Sequence, residues 1–394
     1  MTDSLCILGA GLAGCSAALD LAQRGHAVTL IDRANRPMMA ASRHNEGKLH
    51  LGYIYAADPD RRTHRIMAEG SLRFLGEIER LTGMPRTMQS VSAGFNYIVP
   101  EDSLIPAQAL WSHVQAVDDT VAALGGQLPR STWLSPEALS RHYGRTVTGG
   151  FRTPEIAIDP GRLSDIVGAA VLAHPNIDFL SATIREARQE AHGGYSLTLR
   201  WQNETVQLTA PRVINALWTD RLRLDAMVGL HSPHTWSRRW KATVMIDVPA
   251  KAVTLPPTTA MVGAYGDFVL YGAQRVYVSW YPTCRLSMQT LGGETVHTPA
   301  DEETIRRDSL DTLARLIPGV RDLHFYAETT KIGGGVIMAV GDTDIDQRQS
   351  GLHARHQIGV EGSDNWLSVS TGKLCTAPMF GVQAAQRILA KAAA

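Results

Sequence analysis

An excess of either charge is what this 394-residue chain most plainly lacks. Lys and Arg together number 38, Asp and Glu also number 38, and the formal net charge is zero. Proteins that bind nucleic acid or anionic membranes use a basic excess to neutralise phosphates, so neither class fits. Cysteine is scarce. Cys6, Cys15, Cys284 and Cys375 lie far apart and without metal-ligand spacing, so no metal centre is expected. They read as reduced core thiols of a cytoplasmic protein. No apolar run reaches 18 residues and no charged leader stands at the start, so neither a membrane span nor a signal peptide is expected. Internal repeats and low-complexity tracts are also missing. What remains is ordinary globular material, 44% apolar and 19% charged, with more length than one core usually serves. Two domains are expected.

The first distinctive unit is "LCILGAGLAGCSAALDLAQRGHAVTLIDR", beginning at Leu5. Leu5 to Leu8 reads as a buried parallel strand. Gly9, Gly11 and Gly14 follow with G-x-G-x-x-G spacing, then a helix with Ala18, Leu19 and Leu21 on its buried side. Gly25 ends the helix, "AVTLID" is the second strand, and Asp32 closes it. Gly9 allows a tight turn, Gly11 lets a pyrophosphate approach the backbone, and Gly14 lets helix and strand pack closely. The helix N-terminus offers free N–H groups to phosphates, and Asp32 can accept from ribose hydroxyls. The order of parts points to dinucleotide binding. The motif alone does not separate NAD from FAD.

Near the other end, "NWLSVSTGKLCTAPMFGVQAAQRILAK" from Asn365 reads as strand, turn and helix, with Phe380, Ala384, Ile388 and Ala392 four apart. Such a turn presents N–H groups to something electron-rich, and a reduced flavin is one such partner. Together with "TPEIAIDPGRL" (153–163), these pieces resemble the FAD-dependent oxidoreductases of the D-amino-acid oxidase and glycerol-3-phosphate dehydrogenase superfamily. In that superfamily a Gly-Lys-aliphatic-Thr-Thr segment borders the flavin. Here it reads Gly372, Lys373, Leu374, Cys375, Thr376, with Cys375 in place of the first threonine. "VINALW" (213–218) resembles the family strand that turns over the dinucleotide, which places Ala216 there.

The crossover "HNEGKLHLGYIY" (44–55) is most similar to the L-2-hydroxyglutarate dehydrogenase branch, through His44, Asn45, Gly47, Leu49, His50 and Gly52. Glu46 and Lys48 depart from that branch and add charge. The resemblance implies FAD as cofactor. It implies cofactor contacts from Gly9, Gly11, Leu12, Ala13, Gly14, Asp32, Arg33, Ser42, His44, Asn45, Gly47, Ala216, Gly372, Lys373, Leu374 and Thr376. In some amine-oxidising relatives a His-x-x-Gly histidine is attached covalently to flavin, and His44 to Gly47 has that spacing. Attachment at His44 is therefore an alternative to non-covalent binding.

The implied fold is α/β. A discontinuous Rossmann-like FAD-binding domain takes 1–85, 150–224 and 331–394, and an α+β substrate domain on an antiparallel sheet takes 86–149 and 225–330. The sheet is read from alternation in "KATVMIDV", "FVLYGAQRVYVSWYP" and "CRLSMQTL". "IDFLSATI" reads as one strand. Tyr265, Tyr271, Tyr277, Trp280 and Tyr281 are candidate walls of the substrate pocket, although aromatics at such positions are more often core.

For chemistry, His50 is the candidate base, because removing hydride from a C–H that bears a hydroxyl leaves an O–H proton to be taken. Lys48 is the other titratable candidate. Relatives clamp a substrate carboxylate with arginine, whose planar fork matches two oxygens. Here Gly333, Gly334 and Gly335 stand where an Arg-Pro pair is usual, which leaves Arg275 and Arg355 as the leading candidates, ahead of Arg285 and Arg348. The expected function is hydride removal from a hydroxy acid, polyol or sugar-like molecule to flavin N5, with oxygen, a quinone or a carrier as electron acceptor. Alternatives are amine or amino-acid oxidation on the same scaffold, a flavin-dependent hydroxylase, for which "VGDTDID" (340–346) offers a Gly-Asp pair, and a non-catalytic FAD-binding module.

Overall fold

The computed structural model describes residues 5–86, 91–363 and 365–390. The expected helix position of Ala392 lies outside them. A six-stranded sheet runs in the order Gly359–Gly362, Trp366–Ser370, Val213–Asn215, Leu5–Leu8, Val28–Asp32, Ile177–Ser181. All its pairings are parallel except the one at the Gly359–Gly362 edge. Leu5–Leu8 lies in the middle, buried throughout, which is why it reads as an unbroken apolar run. The helix Leu12–Gln23 packs on the last helix, Ala377–Ala390. A Cβ at Gly381 would lie 2.3 Å from the Ala13 carbonyl oxygen, so this glycine lets the two ends of the chain touch. Cys6 and Cys15 are free and buried in this layer.

The stretch expected as one strand at 177–184 is two. Ile177–Ser181 ends the parallel pairing, and Thr183–Gln189 turns into a separate antiparallel sheet with Tyr195–Trp201 and Glu204–Ala210. Ala182 N–H, donating to the Asp32 carbonyl, marks the changeover.

The third body is a ten-stranded sheet, antiparallel in every pairing but that of Thr258–Ala260 with Asn96–Pro100. Its longest members are Trp236–Asp247 and Thr330–Val340, paired along nearly their whole length. Here the sheet departs from the expected division of the chain. The expected boundary at 331 assigns all of the strand Thr330–Val340 but its first residue to the dinucleotide unit, and the boundary at 150 cuts the strand Val147–Arg152. The reason lies in Gly333–Gly335. A Cβ at Gly334 would sit 2.1 Å from the Trp240 ring, and one at Gly335 would sit 3.0 Å from the Ala41 Cα, so the strand passes between sheet and crossover only without side chains.

Lys48–Leu49 in the crossover pairs with Ile156–Ala157, a two-stranded ribbon joining the bodies. The helix Pro160–Ala173 begins just beyond it, capped by Asp159, whose Oδ1 accepts from the N–H of Gly161 and Arg162. Among the described residues no helix is long and apolar enough to cross a membrane, and no group of three or more His, Cys, Asp or Glu could hold a metal ion.

Candidate active site

A cavity of about 1010 Å³ opens where the carboxyl ends of the parallel strands face the large sheet. Ligands of open α/β sheets bind at such ends. Gly9, with φ +96°, has no room for a side chain, since a Cβ there would lie 2.6 Å from the Ala216 carbonyl oxygen. A Cβ at Gly14 would lie 1.8 Å from the Gly9 oxygen. Gly11 differs, because it lines the cavity and only the Ser42 hydroxyl lies near, 3.3 Å from where a Cβ would stand. That hydroxyl accepts from Leu12 N–H at 3.0 Å. Asp32 accepts from the N–H of Ala10 (2.8 Å) and Ala34 (2.9 Å), which ties both ends of the motif together. Leu12, Ala13, Arg33 and Ala216 also line this end. The result is a smooth backbone cradle at a helix N-terminus, suited to a pyrophosphate.

The crossover supplies the next wall. Asn45 lines the cavity, but its polar atoms hold the loop. Nδ2 donates to the carbonyls of Ala41 and Ser42, and Oδ1 accepts from Gly47 N–H at 2.6 Å. Gly47 packs on the Ile158 carbonyl, and His44 sits against Gly333; neither is on the cavity wall. Across the cavity, Gly372, Lys373 and Leu374 line it, while Thr376 is buried behind them and donates to the carbonyls of Thr371 and Lys373.

Between these walls lies a charged patch. Glu46 Oε1 accepts from Lys373 Nζ at 3.2 Å and meets His50 Nε2 at 3.3 Å. The other His50 nitrogen faces Glu155 Oε1 at 3.6 Å. Glu155, fully buried, also accepts from Leu51 N–H at 2.6 Å and from the Tyr97 hydroxyl. Lys48 Nζ pairs with Asp267 at 2.7 Å, donates to the Thr259 hydroxyl, and lies 4.8 Å from the centre of the Phe95 ring. Lys241 Nζ donates to the hydroxyls of Tyr277 (3.2 Å) and Ser279 (3.1 Å).

Burial opposes charge throughout this patch, and the partners overcome it at each carboxylate. Lys373, the His50 hydrogen bond and Lys241 hold Glu46 well below the usual carboxylate range despite burial. His50, Lys48 and the Tyr97 hydroxyl lower Glu155, and Lys48 and Lys241 lower Asp267. Burial pushes Lys241 down, but Tyr277, Asp267 and Glu46 more than compensate, and the ammonium ends above its ordinary value.

The two leading arginines part company. Arg355 is buried on the cavity wall. Its Nη1 donates to the Gly372 carbonyl at 2.7 Å, and its Nε has no hydrogen-bond partner among the described residues. Arg275 lies away from the cavity wall and is held by Asp247 (2.7 Å) and Asp159 (3.1 Å). Tyr265 and Tyr281 line the cavity; Tyr271, Tyr277 and Trp280 do not. Asp344, in "VGDTDID", accepts from Arg239 (3.0 Å) and the Tyr281 hydroxyl (2.6 Å), which anchors the loop that carries Arg355. Glu155, Lys241 and Asp267 were not singled out from the sequence. Lys241 and Asp267 stand on the strands Trp236–Asp247 and Gly266–Tyr271, and Glu155 just before Ile156–Ala157, with nothing in the neighbouring residues to mark them.

The family model described as "DAO: FAD dependent oxidoreductase" matches residues 4–363. The chain belongs to that family. Its cofactor is FAD, and it is an oxidoreductase, a dehydrogenase or an oxidase. The glycine cradle, the acid at Asp32 and the cavity volume all suit FAD. The tRNA 5-methylaminomethyl-2-thiouridine biosynthesis bifunctional protein of Burkholderia thailandensis is 28% identical over 335 residues, 80% of this chain and 44% of that protein. The chain thus spans less than half the length of that relative. Among solved structures, the glycine oxidase of Geobacillus kaustophilus superposes with a TM-score of 0.71 at 15% identity, covering 99% of this chain and 95% of the other. The FAD-bound L-alpha-glycerophosphate oxidase of Mycoplasma pneumoniae superposes with a TM-score of 0.68 at 13% identity, covering 99% and 95%.

Proposed function

We propose that this FAD enzyme oxidises a C–H bond beside an amine nitrogen in a small polar molecule that also carries an anionic group. FAD supplies, when bound, the acceptor for the hydride. The observation that carries the amine reading is the setting of His50. Its Nε2 faces Glu46 at 3.3 Å, and its Nδ1, 3.6 Å from Glu155, is buried without a hydrogen-bond partner among the described residues. An alcohol needs a base with a lone pair free to reach its O–H, whereas a neutral amine can lose hydride without one. In this reading His50 orients Glu46, and Lys241 and Arg355 are the donors for the anionic group. Among the described residues Lys241 has hydroxyl partners only, and Arg355 has an unpaired Nε. Tyr265 and Tyr281 border the substrate and keep water out. The name of the Burkholderia relative, which refers to an aminomethylated uridine, supports amine chemistry.

A second reading, oxidation of a hydroxy acid, is favoured by the match of His44, Asn45, Gly47, Leu49, His50 and Gly52 to the L-2-hydroxyglutarate dehydrogenase pattern. Anaerobic bleaching of the flavin by matched amines and alcohols tests both. Amines are expected to reduce it and their hydroxy analogues to fail. The His50→Asn variant sharpens the result. With FAD saturating, its reduction rate is expected to stay close to wild type. A loss of roughly 10²–10⁴-fold, the usual contribution of a general base, would restore His50 as the base and with it the alcohol reading.

A further inference from the structure

We propose that Glu46 is a positioning residue whose carboxylate fixes the Lys373 side chain on the wall of the flavin cavity and so sets the electrostatic surroundings of the cofactor. FAD in the cavity is presupposed; the identity of the substrate is not. Glu46 and Lys373 are 327 positions apart and meet at 3.2 Å. Each keeps a small part of its side chain open, 17% and 26%, and both line the cavity. Among the described residues Glu46 is the one ion-pair partner of Lys373. Three further cations, Arg355, Lys48 and Lys241, act on Lys373 in the opposite sense. Lys48 has its own counter-ion in Asp267.

Glu46 is well placed for this task. The Tyr271 hydroxyl donates to its carbonyl oxygen at 2.6 Å, His50 Nε2 meets its carboxylate at 3.3 Å, and the Asn45–Gly47 turn fixes its backbone. An aliphatic side chain at position 46 would leave Lys373 facing only like charges. Burial lowers Lys373 and Glu46 opposes that shift, so the carboxylate at 3.2 Å is the contact that favours the cation on this wall. The tyrosines nearest Glu46, Tyr55, Tyr271 and Tyr277, are pushed above their ordinary value by burial and stay neutral. A fixed cation there favours the cofactor state that gains negative charge, so the midpoint potential reports it.

The test uses FAD-loaded protein, with flavin absorption and midpoint potential recorded against pH. Glu46→Gln is expected to introduce a break below the ordinary lysine value of about 10.4, at lower pH than any break in the wild type. The break should disappear in Glu46→Gln combined with Lys373→Met, and Glu46→Asp should restore the wild-type profile. If Glu46→Gln does not retain FAD, Lys373→Met gives an independent arm. Glu46 then loses the charge that lowers it most, and its own titration should move up in pH and show as a change in the flavin spectrum. Profiles that superimpose on wild type, or a break that survives in the double variant, would overturn the proposal. A role confined to holding the loop would lower FAD content and melting temperature without adding a break. Colourless wild-type protein would instead count against the cofactor assignment.

Discussion

The cavity has two ends built on different principles. The nucleotide end comes from residues 9 to 32 and is made of backbone: two glycines without room for a methyl, one helix N-terminus, and one carboxylate bonded to two amides. The charged end comes from positions 46, 48, 155, 241, 267 and 373 and is made of side chains. Contacts with no slack, set by a local spacing, hold the first. The second depends on a balance in which each buried charge is acceptable only because its partners are present. The first should therefore fail sterically and all at once. The second should fail one ionisation at a time and with a pH dependence.

Gly14→Ala should give the largest effect. The new methyl carbon would start 1.8 Å from the Gly9 oxygen, backbone against backbone. A loss of about 3 kcal/mol or more is expected from such overpacking, seen as insoluble or low-melting protein without flavin. Gly11→Ala is the matching control. Its nearest neighbour is a side-chain hydroxyl at 3.3 Å, so the chain should fold and melt normally but bind FAD weakly. Equal melting losses in both variants would erase the distinction between a steric contact in the fold and one toward the cofactor.

At the charged end, Glu155→Ala should cost about 3 kcal/mol, because it strands the Leu51 N–H and the Tyr97 hydroxyl in a buried site. Glu155→Gln should cost less and change the pH response. The folded-state carboxyl is held below its ordinary value. Its contribution is therefore complete above the unfolded value of about 4.3 and is lost as pH falls through the folded value. Melting curves from neutral to acid pH should show wild type and Glu155→Gln converging at the acid end. A constant gap would mean that the charge of Glu155 does not contribute.

Lys241→Met sharpens the functional side. If Lys241 holds an anionic group of the substrate, its removal costs about 1.5–3 kcal/mol of binding, a roughly ten- to hundredfold rise in KM with kcat nearly unchanged. The amine that bleaches the flavin best is the substrate for this measurement. A fall in kcat at constant KM would place Lys241 in the reaction rather than in binding.

The same contrast explains what is legible in the sequence. Glycine spacing, a terminal acid and an apolar strand are constraints on neighbouring residues, so the nucleotide unit and the strand at Leu5–Leu8 are visible in one stretch of text. The Gly372–Leu374 turn is visible between its strand and helix, and its place beside the flavin comes from resemblance. Glu155, Lys241 and Asp267 carry no local mark. Lys241 sits in "RRWKATVMID" among other charges, and only pairing with Arg285–Thr290 and Thr330–Val340 turns it inward. Glu46 and Lys48 stood out as unexpected charges, but their partners, Lys373 and Asp267, lie 327 and 219 positions away. The triple glycine at 333–335 reads in the sequence only as a missing Arg-Pro pair, because its purpose, clearance for Trp240 and Ala41, belongs to other segments.

Arg275 gives the smallest expected effect and the cleanest check on how the charged end is delimited. Alternation along Arg275–Trp280 shows which residues share a face, but not which face looks into the cavity. The guanidinium bridges Asp247 and Asp159 outside the cavity wall, with 39% of its side chain exposed. Solvent screens such a pair, so Arg275→Ala should cost about 0–1 kcal/mol. Asp159 caps the helix Pro160–Ala173 through Gly161 and Arg162, and those bonds persist without Arg275. Flavin content, KM and the rate of flavin reduction should all match wild type. A KM raised about tenfold with melting unchanged would instead place Arg275 at the substrate carboxylate, and would extend the charged end across the ribbon that now closes it.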